Sequence, residues 1–351
     1  MLSAVDKIGR KGSARMSETV RERLLARERE TLSPFAFLTE NTRGREHPIE
    51  PDAARTDFQR DRDRIIHSQS FRRLMHKTQV FLAPTGDHYR TRLTHTLEVT
   101  QIARTMARGL SLNEDLTEAI GLAHDLGHTP FGHAGETVMR QLFSPDFSHN
   151  AQGVRVVERL ENDGQGLNLT FEVRDGIAHH SGDVMPVTLE GALIRYADRI
   201  AYINHDIDDA LRAGIISQEE IPADLRAALG ETHGERINTM VTSVLRASEG
   251  KPVICMEPDV QAATDALRDF LFARVYRDNA AKVEEGKAKT MLAQLFAYFE
   301  EHPDELPALY RSNIAAEGVK RCVCDHLSCM TDRYAIECFR QHFIPEVWRV
   351  K

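Results

Sequence analysis

Ala123-His124-Asp125-Leu126-Gly127-His128-Thr129-Pro130-Phe131-Gly132-His133-Ala134-Gly135-Glu136 packs three histidines and two carboxylates into fourteen residues. Upstream, Glu114 to Leu126 reads as a helix, with Leu116, Ile120 and Ala123 spaced for one buried face. His124 and Asp125 fall on its last turn, where neighbouring side chains diverge by roughly 100° yet can both reach one ion against the helix flank. His128 follows one turn later. Pro130 and Gly132 then break the periodicity, so the chain turns and His133 and Glu136 swing back over the same cleft. A His-Asp pair at a helix end is, alone, more often a solvated terminus. Partners elsewhere change its weight. His95 opens a helix running to about Leu110, with Leu93, Leu97, Ile102, Met106 and Leu110 apolar. Asp198 lies in another, Leu189 to Leu211, with Leu193, Ala197, Ile200, Ile207 and Leu211 apolar. His95, His124, Asp125 and Asp198 make a set of two imidazoles and two carboxylates on three helices.

That set is similar to the signature of the HD-domain phosphohydrolases, and the surrounding words narrow the resemblance: Phe71-Arg72-Arg73-Leu74, Lys77-Thr78-Gln79-Val80-Phe81, Arg92-Leu93-Thr94-His95-Thr96, Gly127 to His133, and Tyr196-Ala197-Asp198-Arg199-Ile200-Ala201-Tyr202. Together, from about Ser33 to the C-terminus, the chain resembles the deoxyguanosine-triphosphate triphosphohydrolase (dGTPase) and dGTPase-like group. The resemblance implies hydrolysis of dGTP or several deoxynucleoside triphosphates to deoxynucleoside and inorganic triphosphate, and a homo-oligomer, often a hexamer or tetramer. An HD phosphodiesterase or pyrophosphohydrolase acting on cyclic or guanosine-tetraphosphate-like nucleotides is the second reading. A non-catalytic nucleotide sensor is the third, and the intact ligand set argues against it.

Two histidines and two carboxylates suit one borderline to hard divalent ion, Mn2+, Mg2+ or Fe2+, with Zn2+ also open. His133, Glu136 and His128 are the catalytic candidates. His133 and Glu136 are three apart, so the carboxylate can orient the imidazole and favour its charged form. Arg92 stands three residues before His95 on the same helical side, where its donor fork fits a phosphate. Asp198, Tyr202 and Asp206 fall at i, i+4 and i+8 and line one side of a helix. Three polar residues on a solvated face is the plain alternative. By resemblance, Tyr202 packs under the sugar, Asp206 bonds its 3′-hydroxyl and Gln79 contacts the deoxyribose; by composition alone Gln79 is more often structural. His149 reads either as a surface group at a helix cap or as a further proton-handling histidine, and is counted with the substrate-contacting candidates. Some HD enzymes hold a second metal with extra histidines between the HD pair and the last Asp. His179 and His180 could serve, but Ser181-Gly182-Asp183 follows without further matching spacing, so a single ion is expected.

The 351 residues divide into a charged arm and loop (1–60), an HD-type core (61–215) and a C-terminal helical region (216–351), in an all-α fold. Hydrophobic residues at 41% with 28% charged are ordinary for a soluble globular chain. Apolar runs fall far short of the roughly 18 residues that cross a bilayer, and Met1 is followed by no signal-peptide core, so the cytoplasm is expected and no membrane partner. Five cysteines, an odd number, argue against a disulfide framework. A net charge of −8 disfavours a general nucleic-acid binder; an anionic substrate must be held by a local cluster and a metal. An allosteric nucleotide or single-stranded DNA stays open as a regulator.

Taken in order, residues 1 to 15 read as a flexible or vector-derived leader, with Met16 an alternative start, and Ser17 to Glu30 as a highly charged helix. Arg55 to Arg64 alternates charge sign. Asp63 to Phe81 reads as a helix, Ala83 to Asp87 as a loop, His149 to Leu160 and Glu172 to His180 as helices, and Lys251 to Cys255 as a short strand. Asp259 to Phe299 reads as long amphipathic helices. Cys322, Cys324, Asp325, His326 and Cys329 lack a C-x-x-C pair and read as packed residues of a helix ending over Met330 to Tyr334, not as a zinc site.

Overall fold

The computed structural model describes residues 18–79, 90–275 and 281–345; the leader, Met16 and the Ala83 to Asp87 loop lie outside them. Helices α1 (Val20–Thr31), α2 (Asp57–Ile66) and α3 (Gln69–Arg73) are followed by α4 (Arg92–Gly109), α5 (Glu114–Ala123), α6 (His133–Leu142), α7 (His149–Arg155), α8 (Phe171–His179) and α9 (Leu189–Arg212). Then come α10 (Ala223–Leu229), α11 (His233–Ser248), α12 (Pro258–Arg274), α13 (Ala281–Glu301), α14 (Ala308–Arg311), α15 (Ile314–Glu317), α16 (Val319–Ser328) and α17 (Asp332–Phe343). Extended pairing among the described residues is limited to isolated bridges, Arg45 with Thr170 and Thr78 with Thr91. The fold is all-α. Among the described residues no helix is long and apolar enough to cross a membrane.

Caps decide where α4, α5 and α9 begin. Thr91 accepts the Thr94 N–H and Thr94 returns a bond to the Thr91 N–H at 3.0 Å, which starts α4 one turn before His95. Asn113 accepts the Leu116 N–H at 3.2 Å at the head of α5, with Glu114 and Asp115 set against the positive end of the helix. Thr188 does the same for α9 through the Gly191 N–H at 3.1 Å. Each cap contributes about 1 kcal/mol and also fixes the register of its helix.

α4, α5 and α9 pack on one another, and α2 and α8 close over α5. Val99, Met106, Ile120, Leu193 and Ile194 are fully buried between them, each burial contributing roughly 1.5–3 kcal/mol. A second core joins Val138 and Met139 of α6 to Leu292, Leu295 and Phe296 of α13 and Val323 and Leu327 of α16. The cores do not follow chain order: α6 leaves its sequence neighbours for the C-terminal helices, while α11 and α12 pack back on α9. The histidine-rich loop joining α5 to α6 therefore spans from one core to the other.

Several expected elements end differently, each for a local reason. In place of one helix from Asp63, α2 starts at Asp57 behind the Thr56 cap and stops at Ile66; Ser68 then caps α3, and Glu161 accepts the N–H groups of Gln69 and Ser70. α5 ends at Ala123, so His124 and Asp125 sit on a turn and not on a continuing helix. α7 passes at Val156 into a π-helical turn through Leu160. Lys251 to Cys255 forms no strand; the Ser248 hydroxyl accepts the Cys255 N–H at 2.9 Å and donates to its carbonyl at 3.1 Å, folding the segment as a loop. Leu97 is exposed, because the buried stripe of α4 runs through His95, Val99, Ile102 and Met106. α16 ends at Ser328 and Tyr334 belongs to α17; Cys322, Cys324 and Cys329 are buried, unbridged thiols.

The start of α9 is held by Glu190, which is fully buried and accepts the N–H of Phe37 at 3.0 Å and of Asn113 at 2.9 Å through one oxygen. Burial raises its carboxyl from the usual 4.5 to about 7 against the pull of those donors. The folded chain thus keeps this proton where the unfolded chain has lost it. The stability it contributes is fully present below about pH 4.5 and is lost as pH rises through about 7. Glu190→Gln keeps the accepting oxygen and removes the titration. Unfolding free energies from urea titrations at about pH 5 to 8 should fall in the wild type by roughly 2–3 kcal/mol more than in the variant; parallel curves would contradict the assignment.

Candidate metal centre

His95 lies one turn into α4 and is 1% exposed, His124 caps α5, Asp125 follows it, and Asp198 sits near the middle of α9. Ligand atoms of His95, His124 and Asp125 lie within 4.8 Å of one another. His95 Nε2 is 3.1 Å from Asp198 Oδ1 and 3.8 Å from Asp125 Oδ2, and His124 Nε2 is 3.5 Å from Asp125 Oδ1. The four residues therefore converge from α4, the turn that ends α5, and α9. His124 Nδ1 faces the Gly121 carbonyl at 2.7 Å, which only accepts, so that nitrogen carries the ring proton. On a neutral ring Nε2 is then a bare lone pair, fully buried and without a hydrogen-bond partner among the described residues. A lone pair turned towards a carboxylate is unfavourable unless a cation lies between them, so the donor set fits a divalent ion.

Asp125 is 3% exposed. Burial works against its charge, but His124, Arg92 and His128 outweigh that and hold it well below the usual carboxylate range. Arg92 Nη1 is 2.7 Å from Oδ2, and His128 Nε2 is 3.1 Å from Oδ1. Arg92, expected to suit a phosphate, thus already faces the Asp125 carboxylate. Its Nη2 donates to the Thr78 carbonyl at 3.2 Å, and its Nε has no partner among the described residues.

The loop from Gly127 to Gly132 is bound from both sides. At Gly127 a Cβ would lie 2.1 Å from the Gly153 nitrogen and the His149 carbonyl, so only glycine lets this loop lie on α7. The result is a stack of His128 on His149, ring centroids 4.0 Å apart and 18° from parallel. Phe131 and Gly132 take positive φ, 60° and 54°. The turn is held by Asp332 of α17, which accepts the Phe131 N–H at 2.9 Å and the Thr78 N–H at 2.8 Å. Lys77, 2% exposed, donates to the carbonyls of His128 and Ser328. Burial pushes its amine down to about 7. Past the turn, His133 Nδ1 meets Glu136 Oε2 at 3.3 Å with the histidine side chain 88% exposed and the carboxylate buried. Glu136 also accepts the His149 N–H at 3.2 Å and Arg140 Nη2 at 2.8 Å, so it serves three partners where the sequence suggests one.

Along α9, Asp206 is buried and Tyr202 half-buried. Burial, then Asp209 and Asp198, raise the Asp206 carboxyl well above its ordinary value, and burial pushes the Tyr202 hydroxyl up to about 12. The Gln79 backbone reaches the turn beside Arg92 and Gly132, and its Oε1 is buried with no partner among the described residues. Sequence reasoning gave Lys77, Gly127 and Asp332 no role of their own. It also passed over an arc of neighbouring rings, His233, His205, His95, His124, His180, His149, His128 and His133, with successive centroids 4.0–6.1 Å apart. No spacing rule links members of that arc; only the count of sixteen histidines hints at it.

Residues 92–203 match the HD domain family, and residues 254–341 match the phosphohydrolase-associated domain. A protein of Caldanaerobacter subterraneus subsp. tengcongensis, named deoxyguanosinetriphosphate triphosphohydrolase-like protein, is 54% identical over 329 residues, covering 94% of this chain and 97% of its own. Relatives with the same name from Desulfatibacillum aliphaticivorans (48% identical, 93% of this chain and 99% of the relative) and Clostridium tetani (44%, 94% and 97%) are similar along nearly the same length. With the His-Asp centre and the full-length likeness together, the chain belongs to the deoxyguanosinetriphosphate triphosphohydrolase-like family of HD-domain phosphohydrolases.

Proposed function

We propose that the chain hydrolyses deoxynucleoside triphosphates at the α-phosphate, releasing a deoxynucleoside and inorganic triphosphate. The observation that carries this reading is the pairing of the four-residue centre with the Asp198–Tyr202–Asp206 stripe on one helix. His95, His124, Asp125 and Asp198 would hold a divalent ion. Such an ion polarises a phosphoryl oxygen and lowers the pKa of water. Arg92, with a buried donor still unmet, takes a phosphate oxygen. His128, stacked on His149 and bonded to Asp125 through Nε2, borders the phosphate with its other ring nitrogen open to accept a proton. His133, on the open side and oriented by Glu136, moves a proton to the leaving sugar oxygen or from the attacking water. One helical turn beyond Asp198, near 6 Å along α9, Tyr202 packs against the sugar and Asp206 takes the 3′-hydroxyl, with Gln79 and His149 on the other side. Assembly as a tetramer or hexamer, and regulation by a nucleotide or single-stranded DNA, belong to the same reading, as does a cytoplasmic location.

Each of the eight common nucleoside triphosphates, incubated with the protein and Mn2+ or Mg2+, should separate the readings. Inorganic triphosphate should appear from deoxynucleotides at least tenfold faster than from ribonucleotides, because a 2′-hydroxyl buried unpaired against Tyr202 costs roughly 1–3 kcal/mol. Tyr202→Ala should narrow the gap, and dideoxynucleotides should be poor substrates. Equal dNTP and rNTP rates, or release of pyrophosphate or cyclic-nucleotide products instead, would overturn the proposal.

His133→Ala should lower kcat by about a hundredfold with metal content unchanged, since this ring stands at the open side of the cleft. Loss of metal in that variant would move His133 among the ligands.

A further inference from the structure

Asp325, which the sequence presents as one more packed residue of a helix, is 2% exposed on α16 and meets donors from two helices. From α7, Gln152 Nε2 donates to Oδ1 at 2.9 Å, and Arg155 Nε donates to both oxygens at 2.9 and 2.8 Å. From α16 itself, Arg321 Nη2 donates at 2.6 Å to Oδ1 and at 2.6 Å to Gln152 Oε1. The Arg321 guanidinium also lies over the Phe143 ring, 4.3 Å from its centroid, at the end of α6. Arg155 Nη2 in addition pairs with Glu317 of α15. One carboxylate of the phosphohydrolase-associated segment thus gathers the far ends of α6 and α7.

At their near ends those two helices carry groups that the proposed reaction uses. α6 opens with His133 and Glu136, and α7 opens with His149. Glu136 accepts the His149 N–H at 3.2 Å and faces its Nδ1 at 3.4 Å, and the His149 ring stacks on His128 at 4.0 Å. Gln152 lies about one turn along α7 from His149, and Arg155 nearly two. Gly153, between them, lies against Gly127. α7 is therefore pressed by the His128 loop on one side and held by Asp325 on another. It is only seven residues long and passes at Val156 into a π-helical turn, so its own ladder gives it little stiffness. Apolar contact would hold such a helix against α16, but it is non-directional and lets the helix roll. Charge-assisted hydrogen bonds to one carboxylate from successive turns fix both rotation and register.

We propose that Asp325 is a positioning residue for the phosphohydrolase chemistry: through Gln152 and Arg155 it sets the rotation of α7, and with it the His149 ring that stacks on His128 and bonds Glu136. This role rests on the proposed function, which gives those rings their work, yet the ring geometry can be read without turnover. The associated segment then has a share in the rate as well as in the stability.

The test compares two ways of removing the charge. Asp325→Asn leaves two guanidiniums facing a neutral amide. Asp325→Leu combined with Arg155→Met and Arg321→Met replaces the cluster by apolar side chains, an exchange that generally keeps stability. Triphosphate release, metal content, urea midpoint and the imidazole NMR signals of the Mg2+-loaded chain are measured for each. Asp325→Asn should lower kcat roughly 10–100-fold at nearly constant KM and metal content. The apolar triple variant should recover the urea midpoint and not the kcat, with the His149 and His128 signals displaced in both. Gln152→Met, which removes no charge, should displace the same signals and lower kcat by less. Recovery of kcat together with the midpoint, or unmoved imidazole signals in Gln152→Met, would overturn the role, since either makes Asp325 a packing element only. A wild type that releases no triphosphate from any deoxynucleotide would instead sink the proposed function, and the imidazole signals would still decide whether Asp325 places α7.

Discussion

A carboxylate sunk to 3% exposure stays ionised only when donors or cations meet its oxygens. Asp125 is the point at which this chain satisfies that condition, and much of the architecture follows from it. Arg92 reaches one oxygen and His128 the other, so α4 and the turn after α5 must cross at a fixed place. Arg92 and His95 are one turn apart on α4, and the helix that brings the guanidinium therefore brings the first imidazole. His124 precedes Asp125, and its ring is aimed by a backbone carbonyl of its own helix. α9 supplies the last carboxylate from a helix anchored at its far end by a buried glutamate. Removing one partner from such a group costs more than the bond itself, because the remaining charge is left in a poor solvent.

The second constraint is mechanical. The loop that carries His128 belongs to the first core at its start and to the second at its end. Phe131 has positive φ, which a side chain with a Cβ rarely adopts and which costs of order 1–3 kcal/mol. That cost is offset from a distance of two hundred residues in sequence. Asp332 caps the Phe131 and Thr78 N–H groups, and Lys77 joins the His128 and Ser328 carbonyls, so α16 and α17 hold the turn. The phosphohydrolase-associated segment is thus part of what sets the position of the His128 ring, and not a separate appendage to the HD helices.

The convergence of His95, His124, Asp125 and Asp198 was legible because residue type and helical register are both written locally: His95 and Asp198 fall on helices whose apolar stripe and cap can be read off the chain, and His124 and Asp125 on the turn that ends another. The all-α class followed from the same periodicity. What was not legible needed tertiary approach. Gly127 looks like an ordinary breaker until α7 is seen 2.1 Å from its absent Cβ. Lys77 looks like a surface lysine, though it is 2% exposed and bonded only to carbonyls. The break at His67 hides in a run with good helical pattern, because Glu161, far along the chain, supplies the acceptors that favour a new start at Ser68. His179 and His180 are equivalent in sequence, and only the turn of α8 sends one inward.

The arc of eight rings gives the cleft its electrical character. Neighbouring imidazoles 4.0–6.1 Å apart cannot all be charged without strong mutual repulsion in a buried setting. Burial accordingly pushes His128 well below its ordinary value, His180 to about 3 and His205 to about 2. His128, His180 and His205 thus offer lone pairs and N–H groups but little fixed positive charge, and the chain as a whole carries −8. Lysines in the same places would attract a triphosphate but would have to be buried as cations, at several kcal/mol each. On the proposed reading, the positive charge a triphosphate requires would come from Arg92 and from a cation recruited to those lone pairs, which would make ion occupancy, more than any surface field, the condition for substrate binding.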